Sequence, residues 1–173
     1  GCTCCITCTL HDERWCENGD GTVTDLTTCL VWLQDAHWGD QRNWSGAHVR
    51  AGKLSSNTVG SGLSDGSVLG DWRLPTKSEL NHLLNGSPIL DCKALDNNRC
   101  SKKGFTGIVG AYTVLGQIHG YYAYWTSTTV PGDDSKAYCI QPYDGKVVPK
   151  AKANPPTLPL VWPVRGGIGH GAP

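Results

Sequence analysis

The stretch Asp71-Trp72-Arg73-Leu74-Pro75-Thr76-Lys77-Ser78-Glu79-Leu80 says most about how this chain folds. Leu74-Pro75 is an extended step, because proline disfavours helical backbone at the residue before it. Thr76 and Glu79 then stand at the spacing of a capping box. The threonine hydroxyl accepts from the Glu79 amide, and the glutamate reaches back to the Thr76 amide. Leu80, Leu83 and Leu84 supply an apolar helix face, and Asn85-Gly86 ends the helix. An extended segment with a large aromatic thus runs straight into a short amphipathic helix, which is the join of an α+β fold.

On the N-terminal side, residues 55–70 form a Gly/Ser-rich loop, and 44–53 read as a short helix capped by Asn43. Cys29-Leu30-Val31-Trp32-Leu33 reads as a buried strand. Asn18-Gly19-Asp20-Gly21 is a tight turn between strand-like residues 14–16 and 22–24. Residues 1–12 hold four cysteines and little that could build a core, so they are assigned to an extension. On the C-terminal side, residues 87–120 read as mostly irregular. Strands are expected over 122–128 and 136–142, with Asp144-Gly145 turning into Lys146-Val147-Val148. Residues 149–159, with four prolines, read as an excursion. A closing strand follows at 160–165, and 168–173 are a tail.

Composition narrows the function. Fifteen basic and fifteen acidic residues cancel, so no global field recruits nucleic acid or an anionic membrane. No apolar run is long enough to span a bilayer. Seven Trp and six Tyr against one Phe and no Met favour a few large aromatic anchors. Nine cysteines point to disulfides in an oxidising compartment, since the C-x-x-C spacings Cys2 to Cys5 and Cys5 to Cys8 share Cys5 and leave no separate second pair to complete a zinc site. An extracellular or cell-surface location follows as the expectation. A chain starting at Gly1 is read as processed or trimmed.

Several of these stretches, in order, resemble the domain family found at the C-terminus of Legionella collagen-like adhesins. They are Arg14-Trp15, residues 18–25, Leu30-Val31-Trp32, Asp71 to Thr76 with Glu79-Leu80, Tyr124 to Thr128, Asp144-Gly145, and Val164-Arg165-Gly166-Gly167. The W-R-L-P-T-x-x-E-L element is also similar to one in formylglycine-generating enzymes. The resemblance implies a C-type-lectin-like fold over residues 13–167: a small twisted antiparallel sheet, two short helices and long irregular loops, stapled by disulfides. It further implies an adhesin-like recognition role. The family often has cysteines where Ala51 and Pro163 stand here, whereas Cys16 and Cys29 replace its usual non-cysteine residues. That exchange suggests a Cys16–Cys29 bridge.

Cys92 and Cys100 are expected to close a local loop. Cys2, Cys4, Cys5 and Cys8 are expected to anchor the extension to Cys139 or to another subunit, giving self-association, with disulfide linkage one route to it. Asn18, Asp20 and Asp25 bear some likeness to a calcium loop, but the bidentate glutamate is missing, and a turn needing positive φ explains the same residues. Calcium is a candidate ligand there, and no cofactor is required. Tyr121 and Tyr122 are candidates for stacking on a sugar ring. Arg99, Lys102, Lys103 and His119 are candidates for meeting an anionic glycan, as are Lys146, Lys150 and Lys152. Gln141-Pro142-Tyr143-Asp144 departs from a lectin Q-P-D motif by its tyrosine and reads as a turn. Arg73 and Arg165 are expected in ion pairs. The six histidines are scattered, no carboxylates pair, and no second C-terminal cysteine accompanies Cys139, so no enzyme is expected. A glycan- or matrix-binding module is the leading reading. A structural subunit of an extracellular filament or layer is the alternative.

Overall fold

The computed structural model describes residue 2 and residues 7–85, 91–92 and 99–166. Its elements are β1 (Thr9–His11), β2 (Trp15–Glu17), β3 (Thr22–Asp25), β4 (Leu30–Leu33), α1 (Trp44–Gly52), α2 (Lys77–Asn85), β5 (Ala111–Val114), β6 (Gln117–Tyr121), β7 (Tyr124–Val130), β8 (Asp133–Ile140), β9 (Val147–Ala151) and β10 (Val164–Gly166). They form a five-stranded sheet in the order β1-β2-β3-β4-β10, a hairpin of β5 and β6, and a three-stranded sheet β7-β8-β9. Every pairing between these strands is antiparallel. This is the α+β organisation expected, with two helices and long loops.

The capping box forms as read. The Glu79 amide donates to Thr76 Oγ1 at 3.2 Å, and Glu79 Oε2 accepts from the Thr76 amide at 2.8 Å. The same carboxylate, almost fully buried, takes both Nη atoms of Arg73 at 2.8 Å. The Ser127 amide donates to Pro75 O and the Lys77 amide to Thr128 Oγ1, fastening the start of α2 to β7. Trp72 and Leu74, two apart on an extended segment, enter two different core clusters.

The three-stranded sheet lies between the helices. Alternate strand residues face opposite sides. Trp125, Ala137 and Cys139 pack with Ala47 and Ala51 of α1, while Tyr124 and Ile140 join Leu80, Leu83 and Leu84 of α2. The main core centres on Trp162, whose ring meets Trp32, Phe105 and Tyr124 at 5.3–5.8 Å between centroids. Its Nε1 donates to Leu33 O at 2.8 Å, so the buried polar atom is satisfied. Asn43 caps α1, its Oδ1 accepting from the Gly46 amide.

Several expectations are corrected. Within residues 87–120, read as mostly irregular, the chain forms the β5–β6 hairpin, which runs on to Tyr121. Its turn holds Leu115 (φ 50°) and Gly116 (φ 78°), and leucine is not the Asn or Asp that would have marked it. Residues 147–151 continue as a strand through Pro149, which β9 tolerates because it is an edge strand. The closing strand shrinks to Val164–Gly166. Thr9–His11, placed in the extension, pairs with β2 as an edge strand of the five-stranded sheet.

The disulfides also differ. Cys92–Cys100 forms as expected, but Cys29 bonds Cys2 rather than Cys16. Cys16 lies in β2 opposite Thr24 of β3, which in turn pairs with Val31, so a whole strand separates it from the start of β4. Cys8 and Cys16 are disulfide-bonded as well. Cys139 is not the acceptor for the N-terminal cysteines: it is a free thiol with no solvent exposure, packed under α1. Cys4 and Cys5 lie outside the described residues. Among the described residues, no helix is long and apolar enough to cross a membrane.

Candidate functional site

Four loop segments meet beside the five-stranded sheet. The Asn18–Gly21 turn leaves β2, Gln34-Asp35 follows β4, Gly60-Ser61-Gly62 crosses from the long loop after α1, and Thr106 arrives from the segment before β5. Between them lies a cavity of about 360 Å³, lined by Gly19, Gly21, Gln34, Asp35, Gly60, Ser61, Gly62 and Thr106. Backbone bonds fix the walls: the Gln34 amide donates to Gly21 O, the Thr106 amide to Gln34 O, and the Ala36 amide to Thr106 O, all at 2.9–3.0 Å. Two glycines are required here. Gly21 (φ 87°) runs so close to the Gly62 carbonyl that any Cβ would collide with it. Gly107 (φ 72°) presses likewise against Asp35 Oδ1.

The lining is polar. Asp35 Oδ1 accepts from the His37 amide at 2.9 Å, and its Oδ2 has no protein hydrogen bond among the described residues. Gln34 spends its Nε2 on Glu17 Oε1 and Gly104 O, which leaves its carbonyl oxygen as an acceptor. The Ser61 hydroxyl is committed to Thr58 O and the Leu63 amide, while the exposed Thr106 hydroxyl makes no protein hydrogen bond among the described residues. Asp35 is the single charged group of the lining. Such a cavity suits a neutral ligand rich in hydroxyls, which can donate to the carboxylate and amide oxygens and accept from the threonine.

Nothing in the sequence marked this cavity, because glycine backbone supplies much of its wall and its four segments are far apart in the chain. The Asn18-Gly19-Asp20-Gly21 turn and the Gly/Ser-rich loop were visible, but not their meeting.

The residues singled out from sequence scatter. Tyr121 stacks on Tyr143 at 5.0 Å, and Tyr122 meets Tyr112 edge to face at 5.6 Å. His119 is exposed on β6. Arg99 Nη1 donates to Gly107 O at 3.0 Å, which brings this residue close to the Asp35 wall. Lys102 is buried rather than solvated, its ammonium 5.2 Å from the Trp15 ring centre, and burial brings its pKa down to about 8. Lys103 lies 4.0 Å from Asp12. The third set divides too: Lys146 approaches Asp144 at 3.7 Å, while Lys152 donates to Thr129 Oγ1 and covers the Trp44 ring. Gln141 and Lys146 close a turn around Pro142-Tyr143-Asp144.

The three calcium candidates hold the hairpin. Asn18 Nδ2 donates to Thr22 and Thr24 Oγ1, and Asp20 Oδ1 accepts from the Thr22 amide and hydroxyl. Asp25 takes Arg14 in a two-point ion pair at 2.8–2.9 Å, and Thr27 and Thr28 as well. Burial works to raise the Asp25 carboxyl, yet these donors hold it at about 2. Among the described residues, no group of three or more His, Cys, Asp or Glu gathers as a metal site. Arg165 pairs with the buried Asp65 at 3.0 Å, and Arg73 with Glu79, both as expected.

No curated protein matches the chain. A family model described as the Lcl C-terminal domain matches residues 21–165, which take in β3 through β9, the first two residues of β10, both helices and the whole cavity apart from Gly19. The chain therefore belongs to the Lcl C-terminal domain family.

Proposed function

We propose that the chain is a non-enzymatic recognition module of a secreted or cell-surface bacterial protein, and that it binds the hydroxyl-rich face of a saccharide. Family membership supports a surface protein. The disulfides Cys2–Cys29 and Cys92–Cys100 suit an oxidising exterior. The observation that carries the saccharide reading is the loop cavity, with Asp35, Gln34 and Thr106 offering unspent hydrogen-bonding capacity on a wall fixed by backbone bonds. A pre-formed polar cleft keeps the ordering cost of binding low. The alternative is a structural subunit of an extracellular filament or surface assembly, with the Cys-rich N-terminus and the Pro-rich stretch 149–159 contacting neighbours; Cys139, buried under α1, offers no thiol for a covalent link between copies.

The test is a glycan array probed with the intact domain and two variants. Asp35→Asn keeps the oxygen that accepts from the His37 amide but replaces the unspent one by a donor. Thr106→Val removes the hydroxyl at nearly constant shape. The expected result is binding to neutral saccharides that falls about tenfold or more in each variant, as for a site whose hydrogen-bonding groups lose a partner. Absence of saccharide binding, or binding that both variants retain, would overturn the reading.

A further inference from the structure

The β5–β6 hairpin carries an apolar tip that neither the core nor the cavity uses. Leu115 is fully exposed, Val114 52% and Ile118 37%. Leu115 also sits at φ 50°, in the left-handed region where Asn, Asp or Gly is the unstrained choice. A branched aliphatic side chain held in that conformation with its whole surface in water improves neither turn nor core. Stability therefore does not explain it, and a partner for the tip would.

The surrounding chain narrows what that partner is. Residues 104–132 contain no Asp, Glu, Lys or Arg, in a chain that is 17% charged. Behind the tip stand two tyrosine pairs, Tyr112 with Tyr122 and Tyr121 with Tyr143. Tyrosine, apolar in its ring and polar at its hydroxyl, settles at the boundary between hydrocarbon and headgroups. The ladder runs from Ala111↔Tyr121 to Val114↔Gln117 with one bulge at His119, below the tip, so at the tip itself the turn amides are what dehydration would leave to headgroup oxygens. A protein groove would ask for side chains that fix a register, such as an arginine or an ion pair, and the tip has none.

We infer that the Val114–Ile118 tip inserts shallowly into a lipid surface, with Leu115 as its deepest group and the tyrosines at headgroup level. The chain has no net charge and the hairpin no Lys or Arg, so a zwitterionic bilayer suffices and salt has little influence. This insertion is independent of the cavity.

The experiment is co-sedimentation of the full chain with phosphatidylcholine vesicles, at low and high salt, beside Leu115→Asp and Leu115→Asn. Asparagine suits the left-handed turn better than leucine, so the second variant should fold at least as well. The expected result is salt-insensitive binding by the unaltered chain, weakened about tenfold or more by Leu115→Asp and measurably by Leu115→Asn. No binding by the unaltered chain, or equal binding by a folded variant, overturns the inference. So does concentration-dependent self-association, measured without lipid by sedimentation velocity, that Leu115→Asn abolishes, because the tip then serves a second copy of the chain.

Discussion

Replacing Glu79 by alanine probes the stretch on which the fold turns. The carboxylate is nearly fully buried, takes two Arg73 nitrogens at 2.8 Å and accepts the Thr76 amide at 2.8 Å. Breaking a buried ion pair from one side costs about 3–5 kcal/mol, because the remaining charge is left uncompensated. Arg73 is 30% exposed and recovers part of that loss from water, so the lower end, about 3 kcal/mol, applies. Glu79→Gln keeps an oxygen for Thr76 but turns an amide donor toward the guanidinium, for about 2 kcal/mol. Thr76→Ala removes only the 3.2 Å cap to the Glu79 amide, for about 1 kcal/mol. Replacing both Arg73 and Glu79 by methionine should cost well under the sum of the single losses, since neither charge is then stranded. Urea unfolding followed by tryptophan fluorescence, with disulfides intact, measures all four. If Glu79→Ala costs no more than Thr76→Ala, the buried pair is not what joins the extended segment to α2.

Other outcomes follow from the same contacts. Trp72→Ala should cost about 3–5 kcal/mol in the same titration, since its ring is buried and its Nε1 donates to Ser67 Oγ at 3.0 Å. The Asp25 carboxyl, at about 2, lies below its unfolded value, so its contribution of about 2 kcal/mol is full above pH 4 and is lost as pH falls through 2. Asp25→Asn should remove that part of the acid dependence, and an unchanged profile would speak against the Arg14 pairing. Burial raises the Cys139 thiol well above its ordinary pKa, so a thiol reagent at neutral pH should find it inert in the folded domain and reactive after unfolding. Rapid native labelling at Cys139 would show that the packing under α1 is looser than described.

What could be read in advance was what short-range chemistry encodes. Asn43, Thr76 with Glu79, and Asn18 to Gly21 each satisfy backbone groups within a few residues, and each stands where the structure has it. The β5–β6 hairpin escaped because Leu115 occupies a turn position whose usual residues would have signalled it. Lys102 stood in sequence as a candidate for meeting an anionic glycan, yet its side chain lies buried within the fold beside Trp15. Cys2 and Cys29 are joined across a separation of 27 residues, which no local spacing could select from among nine cysteines. The cavity is the extreme case: its walls are largely main chain, and its parts meet only once the sheet and the long loop have packed.

The most direct measurement is an amide chemical-shift titration of the isotopically labelled chain with a neutral saccharide selected on the array. The amides of Gly19, Gly21, Gly60, Gly62 and Thr106 report on the cavity wall. Saturable shifts centred on those five, reduced in Asp35→Asn, are the predicted result. Shifts centred instead on His119 and Tyr121, or on Lys150 and Lys152, would place recognition elsewhere and contradict the account.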